Sequence, residues 1–211
     1  MTESAHMKEL FDPRPPKETL KTYDDLLGLI RASEREYDLP LIEKAYQLAE
    51  AQHHDQRPLS GAPYISHPLA VACILVELGM DTESVVAGIL HDVVEDTPVT
   101  LEQVKKLFGT EIAGLIDGVT KLGRIPYSSR EEQQAENIRK MLIAMSEDIR
   151  VIIIKLADRL HNMRTAAFWK PPLQSHKPLQ HMEAHAPIAH RLGIRAVKEE
   201  LEDRSLRFLD P

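Results

Sequence analysis

Apolar residues along most of this chain recur at three- and four-residue spacing, the interval that lines one face of an α-helix. Residues 23–37 read as an amphipathic helix stopped before Pro40, and 41–54 as a second. The second runs into turn formers, Arg57-Pro58-Leu59-Ser60-Gly61-Ala62-Pro63. Ser66 reads as the cap of a third helix, with Pro68 tolerated in its first turn, and Gly79 follows Leu78 as its stop. Asp81 or Thr82 opens a fourth that runs into His91-Asp92-Val93-Val94-Glu95-Asp96, and Pro98 follows. Thr100 caps 101–108 and Gly109 breaks it; 111–121 is short and helical, 123–129 a loop, and 130–145 a long polar-faced helix. The run Val151-Ile152-Ile153-Ile154 would suit a buried strand on its own. Leu156, Ala157, Leu160 and Met163 continue its apolar face at helical spacing, which favours one helix over 149–169. Pro171-Pro172 ends it, and 181–192 and 195–209 complete the series. With no alternating strand, hairpin signal or repeat, the expected fold is all-α. The expected division is a flexible segment over 1–20, a main domain over 21–175, and C-terminal helices over 176–211 that pack on it.

Composition narrows the class. The 211 residues are 43% hydrophobic and 28% charged, as in an ordinary soluble domain. The single cysteine, Cys73, lies in an apolar run, excludes an intramolecular disulfide and reads as a small core residue. Neither an apolar leader nor a run of about 18 apolar residues is present, so a membrane span is not expected and the cytoplasm is the default location. The net charge of −7 argues against direct nucleic-acid binding. It also conceals an asymmetry: residues 1–120 carry 10 Lys/Arg against 21 Asp/Glu, and 121–211 carry 16 against 12. Solvated helix faces account for most such charges, and a basic half able to hold an anionic substrate is the sharper alternative.

The chemistry concentrates in four short stretches: Tyr64-Ile65-Ser66-His67-Pro68, His91 to Asp96, Lys155-Leu156-Ala157-Asp158, and His161-Asn162. A lone His-Asp pair carries little weight, since His54-Asp55 is a second one and reads as incidental. The weight rests on the combination. On a helix residues four apart share a face, so His91 aligns with Glu95, and Asp92 with Asp96. Imidazole and carboxylate donors suit a hard or borderline divalent ion such as manganese, iron or magnesium. Ligands drawn from His67, His91, Asp92 and Asp158 would leave positions open for water and phosphate. Glu95 and Asp96 are then the general-base candidates, and Asn162, sharing a face with Asp158, a hydrogen-bond donor to substrate. Lys140, Lys155, Arg159 and Arg164 are the candidate phosphate contacts, with salt-bridged helix faces as the plainer reading. His161 could orient a ligand, and is equally read as a core or surface histidine. His181 and His185 have ligand spacing without an accompanying acid, which favours a structural reading.

These blocks resemble the HD-superfamily hydrolase region of the RelA/SpoT homologues, the enzymes of (p)ppGpp metabolism. The likeness runs through Gly61 to Pro68, His91 to Thr97, Asp117-Gly118-Val119-Thr120-Lys121-Leu122, Asn137 to Met141 and Lys155 to Thr165, and covers roughly residues 24–211. It implies an all-α HD-domain helical bundle with a divalent-metal site, holding Mn²⁺ through His67, His91, Asp92 and Asp158. It also implies catalytic roles for Glu95 and Asp96 and substrate contacts from Arg57, Ser60, Lys140, Lys155, Arg159, Asn162 and Thr165. The implied reaction removes pyrophosphate from the 3′ position of a guanosine nucleotide, taking ppGpp to GDP and pppGpp to GTP. In long members of the family the final helices lead toward a synthetase domain. The chain departs from the family pattern before the first histidine. The family's base-stacking arginine falls on Pro58, its glycine on Asp55 and its glutamate on Ala62, and proline can neither stack nor donate as a guanidinium does. An HD phosphohydrolase for another nucleotide and a catalytically weak alarmone-binding regulatory module therefore stand as alternatives.

Overall fold

A computed structural model of the chain describes residues 20–54, 63–123, 147–169 and 185–209, with a few isolated positions between them; all structural statements concern these residues. They form ten helices and no strand: α1 Tyr23–Ala32, α2 Leu39–His53, α3 Ser66–Glu77, α4 Thr82–Leu90, α5 Val93–Asp96, α6 Leu101–Phe108, α7 Thr110–Gly123, α8 Ile149–Arg164, α9 Ala186–Arg191 and α10 Arg195–Leu209. A 3₁₀ turn, Ala166–Phe168, follows α8. The expected loop over 123–129 (beyond Gly123 itself) and nearly all of the expected helix over 130–145 lie outside the described residues.

The two most apolar helices form the centre. Leu69 to Val76 of α3 are all buried, as are Ser84 to Leu90 of α4, so neither helix has a solvent face. α4 packs on α2, α3 and α7; α8 packs on α3, α4 and α7, and also contacts α10. Cys73, 1% exposed, is a core residue as expected, and burial pushes its thiol up to about 12. Among the described residues no helix is long and apolar enough to cross a membrane.

Several ends follow the sequence reading. Thr100 caps α6 with Gln103 closing a reciprocal capping box, Asp81 caps α4 by accepting from the Ser84 N–H, and Gly79 takes a positive φ of 69° after α3. Three readings need correction. The first helix ends at Ala32 and does not run to 37, because the backbone turns extended at Ser33. Pro40 is not a stop: it sits in the first turn of α2, where Asp38 caps the Leu41 N–H and a missing donor costs nothing. Ser66 is not a cap either. It lies inside α3, and its hydroxyl accepts from the Lys21 N–H at 3.0 Å.

One guanidinium joins three helix beginnings. Arg150 donates to Asp81 at 2.9 Å, to Glu111 at 2.8 Å and to Asp148 at 2.7 Å, linking the N-termini of α4, α7 and α8. Burial opposes ionisation of Asp81, but hydrogen bonds from Ser84 and Arg150 outweigh it; at Asp148 the Arg150 hydrogen bonds lower the pKa against burial. Arg150→Gln is expected to cost about 1–3 kcal/mol, because all four groups keep solvent contact. A carboxylate with a depressed native pKa stabilises the fold above its unfolded value of about 3.9, and loses that contribution as pH falls through the native one. Chemical denaturation should therefore show the full difference between wild type and Arg150→Gln near pH 7, shrinking below about pH 4.

Candidate metal centre

Three core helices and a break in the chain bring the donors together. His67 is the second residue of α3, His91 follows the last residue of α4, Asp92 precedes α5, and Asp158 lies in the body of α8. One ligand atom from each of His67, His91 and Asp158 falls within 4.8 Å of the others. Asp92 joins them: its Oδ1 is 3.1 Å from His91 Nε2, and its Oδ2 is 3.6 Å from His67 Nε2. Asp158 Oδ1 closes the group at 3.5 Å from His67 Nε2.

The helix is not continuous through the central motif. The chain turns at His91 and Asp92 before α5 begins, so the expected face-sharing is only half realised. Asp92 and Asp96 do converge, because both accept from the Tyr64 hydroxyl, at 2.8 and 2.9 Å. His91 and Glu95 part: the first is buried, the second exposed.

The donor set fits a divalent cation. His91 is 2% exposed, and its Nδ1 lies 2.7 Å from the Gly88 carbonyl, which can only accept. The proton therefore sits on Nδ1, and Nε2 turns a bare lone pair into the cluster. That Nε2 is buried and has no hydrogen-bond partner among the described residues, a cost of about 1–3 kcal/mol unless a cation takes the lone pair. Burial lowers the His67 pKa and so favours the neutral, ligating imidazole. At Asp158 burial opposes ionisation, but Lys155 and Arg159 outweigh it and hold the carboxyl well below its usual range. Burial likewise opposes ionisation of Asp92; His91 and His67 in their protonated forms, and the Tyr64 hydroxyl bond, pull its pKa the other way, below the ordinary value.

The remaining expected residues fall into distinct settings. Asn162 donates to Asp158 Oδ1 at 2.6 Å, and Lys155, 8% exposed, stands 3.1 Å from Asp158 Oδ2. Both therefore hold the carboxylate directly. Arg159 is 3.8 Å from the same oxygen. The Thr165 hydroxyl donates to the carbonyls of His161 and Asn162, each at 3.2 Å. Arg164 is turned away into a two-pronged bond with Glu200, at 2.8 and 2.7 Å. Arg57, Ser60, Lys140 and His181 lie outside the described residues, as do Asp55, Pro58 and Ala62.

Sequence reasoning quoted Tyr64 without giving it a role. Its ring stacks on the buried His53, centroids 4.3 Å apart, and burial with the two nearby carboxylates pushes its phenol far above the usual range. It is thus a permanent donor joining Asp92 to Asp96. The signal was its place three residues before His67, at the mouth of the same helix. Tyr64→Phe keeps the stack and removes the hydroxyl; calorimetry should show divalent-cation affinity reduced about 10–100-fold at little cost in melting temperature.

Residues 45–195 match the family described as HD domain, and the chain belongs to that family. Within it, the likeness is to proteins of the SpoT/RelA type. The chain is 45% identical over 189 residues to the bifunctional (p)ppGpp synthase/hydrolase SpoT of Escherichia coli K12, covering 90% of this chain and 27% of that protein. It is 48% identical over 191 residues to a GTP pyrophosphokinase of Streptomyces coelicolor, covering 89% and 22%. It is also 52% identical over 171 residues to a probable guanosine-3′,5′-bis(diphosphate) 3′-pyrophosphohydrolase of Synechocystis, covering 81% and 22%. The chain thus spans about a quarter of the length of these curated relatives. A solved structure described as a metazoan ortholog of SpoT that hydrolyses ppGpp superposes with a TM-score of 0.60 at 26% identity, covering 82% of this chain and 97% of its own.

Proposed function

We propose that this chain hydrolyses the 3′-pyrophosphate of guanosine alarmones, converting ppGpp to GDP and pyrophosphate and pppGpp to GTP and pyrophosphate, with Mn²⁺ as its cofactor. The observation that carries the reading is the convergence of His67, His91 and Asp158 within 4.8 Å, with Asp92 in contact, in a chain resembling SpoT-type hydrolases. His67, His91, Asp92 and Asp158 would hold the ion, and mixed imidazole and carboxylate donors suit manganese. Bound there, it would supply Lewis-acid polarisation of the phosphoryl oxygen and ease deprotonation of the attacking water.

The chain's own residues do the rest. Water oxygen bonds to the phosphorus attached to the 3′ oxygen, and that P–O bond breaks. The water's proton passes to a carboxylate, for which Asp96 is the better placed, since Tyr64 holds it beside Asp92. Glu95, exposed on the same turn, is the second candidate, and the departing 3′ oxygen takes up a proton. Arg159, with Arg57, Ser60 and Lys140, would face the charged phosphates, while Lys155, Asn162 and Thr165 keep Asp158 and its helix in place.

Product analysis tests this. The purified chain with ppGpp and Mn²⁺ should yield GDP and pyrophosphate in equal amounts, with the rate abolished by chelation and lost in Asp92→Ala. Parallel reactions with other nucleotides separate the alarmone reading from a different phosphohydrolase. Bound manganese without release of GDP would overturn the alarmone assignment.

A further inference from the structure

The two histidine donors reach the cluster by different means. His91 is tied to the backbone: Gly88 carbonyl accepts from Nδ1, so no side-chain substitution can alter which nitrogen is bare. His67 Nδ1 has no backbone partner among the described residues. That nitrogen instead lies 2.7 Å from Nδ1 of His161, with the two rings 4.8 Å apart and inclined at 50°. Two neutral imidazoles at this separation share one proton between facing nitrogens. Two arrangements are possible. If His161 donates, His67 carries its proton on Nε2, the atom that faces Asp92 Oδ2 and Asp158 Oδ1 at 3.6 and 3.5 Å. A cation then meets N–H where it needs a lone pair. If His161 accepts, the His67 proton sits on Nδ1 and Nε2 is free to ligate.

We infer that His161 is a positioning residue: its Nδ1 is the acceptor that lets His67 present Nε2 to the divalent ion. The inference rests on the metal reading above and adds to it a residue that touches neither ion nor substrate. Its place supports this. His161 is 5% exposed and one helical turn beyond Asp158, so α8 delivers one ligand directly and steadies another on α3. Its backbone is itself held, since the His161 carbonyl accepts from both the Thr165 N–H and hydroxyl. Partners of this kind typically govern metal affinity by about 10–100-fold.

The experiment measures Mn²⁺ affinity of the full chain without substrate, from the resonance of free Mn²⁺. His161→Leu removes the acceptor; His161→Asn restores an oxygen at the position of Nδ1. We expect His161→Leu to bind about 10–100-fold more weakly and His161→Asn to recover most of the loss, with metal-free melting temperatures close to wild type. Wild-type affinity in His161→Leu overturns this inference alone. A wild-type chain that binds no Mn²⁺ overturns the metal reading and this inference with it. Should His161→Leu fail to fold, nitrogen-15 spectra of the Mg²⁺-loaded wild type decide: a His67 proton on Nδ1 supports the assignment, and one on Nε2 overturns it.

Discussion

A carboxylate 4% exposed in the middle of a core helix is the constraint around which this molecule is arranged. An unpaired ion there would cost several kcal/mol, so Asp158 must be neutralised, hydrogen-bonded or bound to a cation. The protein does the first two with short-range partners from its own helix: Lys155 three residues before, and Asn162 four after. Both sit at helical spacing, so the segment Lys155 to Asn162 has to be helical, and it carries the four β-branched residues Val151 to Ile154 before it into the same helix rather than a strand. What remains exposed to the interior is the edge of Asp158 that faces His67. There the imidazoles and Asp92 gather, and a divalent cation at that edge would complete the charge balance.

Bringing His67 and His91 to that edge requires α3 and α4 to approach closely. Gly88 is one place where they do: a Cβ there would lie 2.5 Å from Leu75 Cδ1, so that side chain would have to shift. The same residue's carbonyl sets the tautomer of His91. A single small residue thus sets helix separation and ligand chemistry together. The break after Leu90 serves the same end, because a straight continuation would carry Asp92 along the helix axis rather than turning it toward Tyr64 and His67.

The sequence carried the helices and the donors further than it carried their arrangement. Periodicity and caps located α3, α4, α6 and α8, since burial on all sides and reciprocal caps such as Thr100 with Gln103 are local signals. The errors have different causes: at Ala32 and Pro40 the local backbone and the Asp38 cap were misread, whereas the partner of Ser66, the Lys21 N–H, lies far along the chain. The four donors His67, His91, Asp92 and Asp158 were named from type and spacing. The roles of Tyr64, Gly88 and Arg150 were not, because each depends on contacts spanning separate elements, of which only Tyr64 stood inside a recognised motif.

Charge pattern is the last point at which structure sharpens sequence. The excess of Lys and Arg after residue 120 suggested either solvated faces or a seat for an anion. In the structure many of these cations are already engaged: Arg150 with Asp81, Glu111 and Asp148, Arg164 and Arg204 with Glu200, Arg195 with Glu199, Lys198 with Glu202, and Lys155 with Asp158. Most of these pairs close within the second half itself, and among those named only Arg150 reaches across to carboxylates of the first, Asp81 and Glu111. Arg159 differs, because its Nε has no hydrogen-bond partner among the described residues while lying within 4 Å of the ligand-bearing carboxylate. Its charge is felt first by that carboxylate, which Arg159 and Lys155 together hold ionised against burial, so the cations nearest the cluster serve the chain's own acid.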